Sequence, residues 1–129
     1  MPHPPVISII DDDGSVRAAI YNLVRSFGYM VHTFASAEEF LRSPHLNDTS
    51  CVITDVRMPA MSGLDLQDHL LANGQRFPFI FVTAFSVESD RVRALRAGAI
   101  CFLIKPFDGD ALIRCLDIAL AQVGAPAIE

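Results

Sequence analysis

Hydrophobic positions in this chain fall into two alternating patterns: short runs that are apolar throughout, and longer segments that are apolar on one helical face. Val6–Ile10 is a β-branched run set between prolines and aspartates, and it predicts a buried strand. From Gly14 and Ser15 onward, Val16, Ala19, Ile20, Leu23, Val24 and Phe27 recur at the spacing of one helix face, and Gly28 closes the segment. Residues 29–34 predict a second strand. Ser36 followed by Glu39 has the form of a capping box, with Phe40 and Leu41 on the apolar side, and 44–50 reads as a loop.

The second half repeats the alternation. Residues 51–55 form a third strand ending in a single carboxylate, Asp55. Met58 and Pro59 then break the chain, and Ser62 opens a helix carrying Leu64, Leu66, Leu70 and Leu71 as far as Asn73-Gly74. Residues 77–82 are a wholly apolar fourth strand ending at Thr83. The helix over 89–97 places Val92 and Leu95 on one face and Arg91, Arg93 and Arg96 on others. Residues 99–104 are a fifth strand ending at Lys105-Pro106. Asp108 to Asp110 cap a last helix bearing Leu112, Ile113, Leu116, Ile118, Ala119 and Leu120. Five strands alternating with five helices, the strands apolar on both faces, predict a doubly wound α/β fold on a parallel sheet. A single domain spanning 1–129 is expected, with its core over about 6–122 and a frayed tail over 123–129.

Composition narrows the class. Half the residues are hydrophobic and 19% are charged, as in a globular chain. No apolar run approaches the roughly 20 residues of a membrane span. The first five residues lack the basic region of a signal peptide, so a cytoplasmic location is expected. The net charge is -5 and Lys and Arg form no cluster, which argues against direct nucleic-acid binding. Four histidines (His3, His32, His45, His69) show no ligand spacing. Cys51, Cys101 and Cys115 are odd in number and lie in apolar segments, so buried reduced thiols are expected.

Polar residues punctuate the strand ends: Asp11 and Asp12 after the first, Asp55 after the third, Thr83 after the fourth, Lys105 after the fifth. Each alone has an ordinary explanation as a turn residue, a helix-start carboxylate, a satisfied hydroxyl or a surface lysine. In a parallel sheet all of these ends share one edge, where a topological switch point opens a crevice. Carboxylates gathered there repel one another and invite a cation. An all-oxygen donor set without histidine or thiol favours Mg²⁺. Lys105 and Thr83 can hold an anionic group that arrives at Asp55.

In its ordered motifs the chain resembles the response-regulator receiver domains, most closely those of the FixJ type. Ile9 to Asp13, Thr54 to Gly63, Val82 to Ala84 and Lys105 to Phe107 match that family's pattern in order and spacing. The resemblance implies a CheY-like, flavodoxin-like fold with strand order 2-1-3-4-5. It implies that Asp55 is the phosphoacceptor for a sensor histidine kinase in two-component signalling. It implies Mg²⁺ ligation by Asp12, Asp55 and the Arg57 backbone carbonyl, with Asp11 acting directly or through water. Lys105 would pair with phosphoryl oxygens across a cis Lys105-Pro106 bond, Thr83 would be the switching hydroxyl, and Phe102 the aromatic that turns with it. Receivers of this type commonly precede a helix-turn-helix DNA-binding domain and tend to dimerise through helix 4, strand 5 and helix 5.

Such a protein is a switch that gains and loses its own phosphoryl group, not an enzyme acting on a separate substrate. The sequence leaves two rivals to this reading. A haloacid-dehalogenase-type phosphohydrolase would want Asp-x-Asp-x-Thr after its first strand, and Gly14 is followed by Ser15 instead. A phosphate-independent interaction module would have no need for the complete set of Asp11, Asp12, Asp55, Thr83 and Lys105. Phe85 departs from the family, whose members more often carry a small or polar residue there. Its ring can either shield the phosphoryl group from water or pack on the fourth helix.

Overall fold

Five short strands run parallel in one sheet: β1 (Val6–Ile10), β2 (Met30–Phe34), β3 (Cys51–Thr54), β4 (Phe79–Thr83) and β5 (Cys101–Ile104), in the order β2-β1-β3-β4-β5. The structure is a computed structural model and describes residues 4–124, so the tail from 125 onward lies outside the described residues. Helices α1 (Gly14–Ser26), α2 (Ala37–Leu41), α3 (Gly63–Ala72), α4 (Glu88–Arg96) and α5 (Gly109–Gly124) follow the strands in turn. The expected doubly wound α/β architecture is therefore present, with the last helix running two residues into the predicted tail.

The sheet separates two cores because successive side chains of a strand face opposite ways. Ile7 and Ile9, Cys51 and Ile53, and Ile80 and Val82 face α1 and α5, meeting Ile20, Val24, Leu112 and Leu116. On the other side Val52, Phe79 and Phe81 meet Phe40 of α2, Leu64, Leu66 and Leu70 of α3, and Ala94 of α4. Phe40 and Phe81 are fully buried, so truncating either to Ala is worth about 3–5 kcal/mol. Ser8 would be an isolated hydroxyl in the sheet, but it pairs with the Thr49 hydroxyl at 2.7 Å.

Several sequence expectations need correction. The loop over 44–50 contains a 3-10 turn, Leu46–Asp48, which buries Leu46. β4 begins at Phe79, since Pro78 has no N–H to donate, and it takes in Thr83. β5 begins at Cys101, because Gly98 at φ +100° and the Ala99 N–H bond to the Ala94 carbonyl end α4 there. α4 buries Ala94, whereas Leu95 is 38% exposed. Phe27, which caps the end of α1, and Ile118 of α5 are also exposed, although the helix pattern placed both on the apolar face. Ser36 accepts from the Glu39 N–H, but the Glu39 carboxylate takes the Ala35 N–H, so this is not a closed capping box.

The cysteines differ most from expectation. Cys101 of β5 and Cys115 of α5 are joined in a disulfide with their Cα atoms 6.2 Å apart, and Cys51 alone is a free buried thiol. An odd count says nothing about pairing, and the turn between β5 and α5 brings residues 14 apart in sequence face to face. Burial pushes the Cys51 thiol up to about 12.

Candidate functional site

Strand ends build the site. β1 stops at Ile10, and the next residue, Asp11, keeps the ladder going by donating its N–H to the Phe34 carbonyl at 3.1 Å. Asp55 does the same after β3, donating its N–H to the Ile10 carbonyl at 3.1 Å. Both carboxylates are thereby pinned on the carboxyl edge while nearly buried, Asp11 at 1% and Asp55 at 8% exposure. On the far side of β3, the Lys105 N–H donates to the Thr83 carbonyl at 2.8 Å and aligns the end of β5 with that of β4. The Lys105-Pro106 bond is cis.

The side chains then converge. Lys105 Nζ donates to Asp55 Oδ2 at 3.1 Å and to Asp11 Oδ2 at 3.2 Å. Asp11, Asp12 and Asp55 each offer a carboxylate oxygen within 4.8 Å of the others. Asp12 is exposed where the other two are buried. Three oxygen donors this close, balanced by one ammonium, suit a hard divalent cation such as Mg²⁺. Burial pushes the Asp11 carboxyl above its ordinary range, against the lowering effects of the Asp13 N–H and Lys105. Burial alone would lower Lys105, but its bonds and charges with Asp55 and Asp11 outweigh this and hold the ammonium above its usual value.

Neighbouring groups hold the frame. Asp13 caps α1, accepting from the Ser15 N–H at 2.9 Å and the Ser15 hydroxyl at 2.7 Å, and these bonds keep its carboxyl low. Asp11 Oδ1 accepts the Asp13 N–H at 2.9 Å, and Arg17 Nη1 donates to the Asp11 carbonyl at 2.7 Å. Asp55 Oδ1 accepts the Arg57 N–H at 3.2 Å. Ser62 and Asp65 form a reciprocal capping box that starts α3 beside the site. Gly63 is required there, because a Cβ at this position would overlap the Asp55 carbonyl oxygen and come within 3.1 Å of the Phe81 ring.

Thr83 is buried and its Oγ1 accepts the Phe85 N–H at 3.3 Å. Phe102 of β5 is half-buried, with its ring centroid 6.1 Å from that of Phe81. Phe85 is 61% exposed at the rim. Every residue singled out from the sequence thus lies at or beside the same sheet edge, with Phe102 two positions inside it. Arg17, Gly63 and Asp90 were not singled out. Gly63 was visible as part of the Ser62-Gly63 helix start, while the Arg57 Nη2 contact with Asp90 Oδ2 at 2.6 Å spans 33 residues without local signal.

Comparison with known proteins agrees with this geometry. The family model "response regulator receiver domain" matches residues 7–117. The response regulator protein TodT of Pseudomonas putida is 43% identical over 115 residues, which are 89% of this chain and 51% of TodT. The solved structure of the response regulator StyR superposes with a TM-score of 0.87 at 40% identity, over 95% of this chain and 62% of that one. FixJ-N superposes with a TM-score of 0.82 at 28% identity, over 99% of this chain and all of that one. The chain spans about half the length of the curated relatives it matches.

Proposed function

The chain belongs to the response regulator receiver family, a family of two-component phosphoacceptor switches and not of classical enzymes, and from this we propose that Asp55 accepts the phosphoryl group. The observation that carries this reading is the ion pair of Lys105 with Asp55 inside a triad of carboxylates at the carboxyl edge of the sheet. The donor is a phosphohistidine of a sensor kinase. An Asp55 oxygen forms a bond to phosphorus as the N–P bond breaks, and the electron pair leaves with the imidazole. Water later attacks the same phosphorus, releasing inorganic phosphate and restoring the carboxylate.

Phosphoryl transfer passes through a loose transition state, so the protein's task is positioning and charge neutralisation. Asp55 is held in place by its backbone bond to Ile10 and by the Arg57 N–H. Lys105 offsets charge on the transferred oxygens. Asp11, Asp12, Asp55 and the Arg57 carbonyl would hold Mg²⁺, which when bound supplies further neutralisation of the phosphoryl oxygens. Added negative charge then draws the Thr83 hydroxyl, breaking its bond from the Phe85 N–H, and Phe102 turns into the space released.

That motion reshapes the surface of α4, β5 and α5. Leu95, Ile104 and Ile118 expose apolar side chains on those three elements, which supports a phosphorylation-dependent homodimer there. Among the described residues no helix is long and apolar enough to cross a membrane. The proposed sensor-kinase donor is what supports a cytoplasmic location. Intact mass after incubation with acetyl phosphate tests the reading. One phosphoryl adduct that requires Mg²⁺ and is lost in Asp55→Asn is expected; none on folded wild type would overturn it. Gel filtration with beryllofluoride, a phosphoryl mimic, tests the dimer.

A further inference from the structure

We propose that Asp90 of α4 is a positioning residue for the phosphoacceptor loop, acting through Arg57, so that filling the acidic pocket and seating α4 are coupled. The proposal builds on the reading of Asp55 given above. Arg57 is held at both ends: its N–H donates to Asp55 Oδ1 at 3.2 Å, and its guanidinium donates to Asp90 Oδ2 at 2.6 Å. The Asp90 side chain is only 16% exposed, while that of Arg57 is 51% exposed, so the pair is half-buried from the Asp90 side.

Local charges leave this pairing specific. Asp90 lies in the first turn of α4, where the helix dipole favours an anion. The other charged groups of α4 near it are engaged elsewhere. Arg91 makes a two-pronged bond to Glu88, and Arg93 reaches Asp65 at 3.2 Å and Asp68 at 2.6 Å on α3. Arg57 is thus the cation that answers Asp90.

The seat of α4 is polar. Ala94 is its one buried residue among those described. Gln67 of α3 donates its amide to the Ala94 carbonyl at 3.3 Å, and its Oε1 is buried without a partner. A helix held by ion pairs and one imperfect amide contact, with little apolar area, can be shifted by a single charged tie. Arg57 supplies that tie to the residue whose carboxylate reacts.

Coupling of this kind is reciprocal: if pocket occupancy changes the Arg57–Asp90 pair, loss of the pair changes pocket affinity by the same factor. For a half-exposed ion pair the expected factor is about two- to fivefold. The experiment is calorimetric Mg²⁺ titration of the unphosphorylated protein, with hydrogen exchange of α4 measured on the same samples. Asp90→Asn and Arg57→Gln should each weaken Mg²⁺ binding about two- to fivefold. The double variant should be no weaker than either single one, and Asp90→Glu should stay near wild type. Exchange should rise in the first turns of α4 in the same variants. Faster α4 exchange with unchanged Mg²⁺ affinity, or additive losses in the double variant, would overturn the proposal. Neither measurement uses a phosphodonor, so failure of Asp55 to take a phosphoryl group would register separately.

Discussion

The Lys105 ammonium stands 3.1 Å from Asp55 Oδ2, so the carboxylate already has its counter-charge in place for the phosphoryl transfer proposed above. A lysine held above its ordinary pKa stabilises the fold fully below its unfolded value of 10.5 and loses that contribution as pH rises through the folded one. Lys105→Met should therefore be less stable by about 2 kcal/mol near neutral pH, leaving two carboxylates unanswered. The gap should narrow above about pH 10.5. Urea denaturation across that range checks it, and a gap that stays constant would refute the assignment.

Asp11 contributes with the opposite sign. Burial raises its folded pKa above the ordinary 3.8, so within that window the folded state holds more proton than the unfolded one. Its contribution to stability falls as pH rises through the window. Asp11→Asn keeps an oxygen for the Asp13 N–H and removes the fall, so the variant should gain on wild type as pH rises above the ordinary 3.8. Denaturation midpoints that run parallel for the two proteins would contradict this.

Two backbone positions shortly after Asp55, one in the loop and one at the start of α3, should respond in opposite directions. Gly63→Ala drives a methyl into the Asp55 carbonyl, which cannot step aside without losing the strand end, and about 2–4 kcal/mol of stability should go with it. Ala60 holds φ 64°, a left-handed conformation that a side chain resists. Ala60→Gly should be neutral to stabilising, by up to about 1 kcal/mol. Thermal unfolding distinguishes the pair.

Phe85→Ala should shorten the lifetime of the aspartyl phosphate while changing stability by less than about 0.5 kcal/mol, since the ring is 61% exposed and supports no core. Loss of the phosphoryl adduct followed by mass gives the lifetime. An unchanged lifetime would remove the ring from the reaction.

Alkylation reports on the disulfide directly. Unfolded without reductant, the protein should take one label, at Cys51, and after reduction three. Three labels before reduction would mean that Cys101 and Cys115 stand side by side as thiols.

The chemistry was more legible in the sequence than the packing. Asp11, Asp55, Thr83 and Lys105 each follow an apolar run, and a parallel sheet sends all such ends to one edge, so their meeting needed only the strand pattern. α4 was read less well because it is short and polar: its buried position is Ala94, a residue that carries no signal of burial, while Leu95 faces outward. The disulfide and the Arg57–Asp90 pair depend on how elements dock, and no local periodicity encodes docking. The Ser36 box failed for a smaller reason, since Glu39 reached one residue further back than the motif requires.

The direction of the strands also bears on what would feel a phosphoryl charge at Asp55. β1 enters the sheet at Val6 and delivers Asp11 five residues later, about 16 Å away. α5 starts near the reactive edge and runs back 16 residues, about 24 Å. Both ends of the described chain therefore leave from the edge opposite Asp55, about two to three screening lengths from it at physiological salt. Anything joined at either end would feel a charge at Asp55 weakly and respond chiefly through displacement of the elements between. A fluorophore or affinity tag placed there is expected to leave phosphorylation of Asp55 undisturbed.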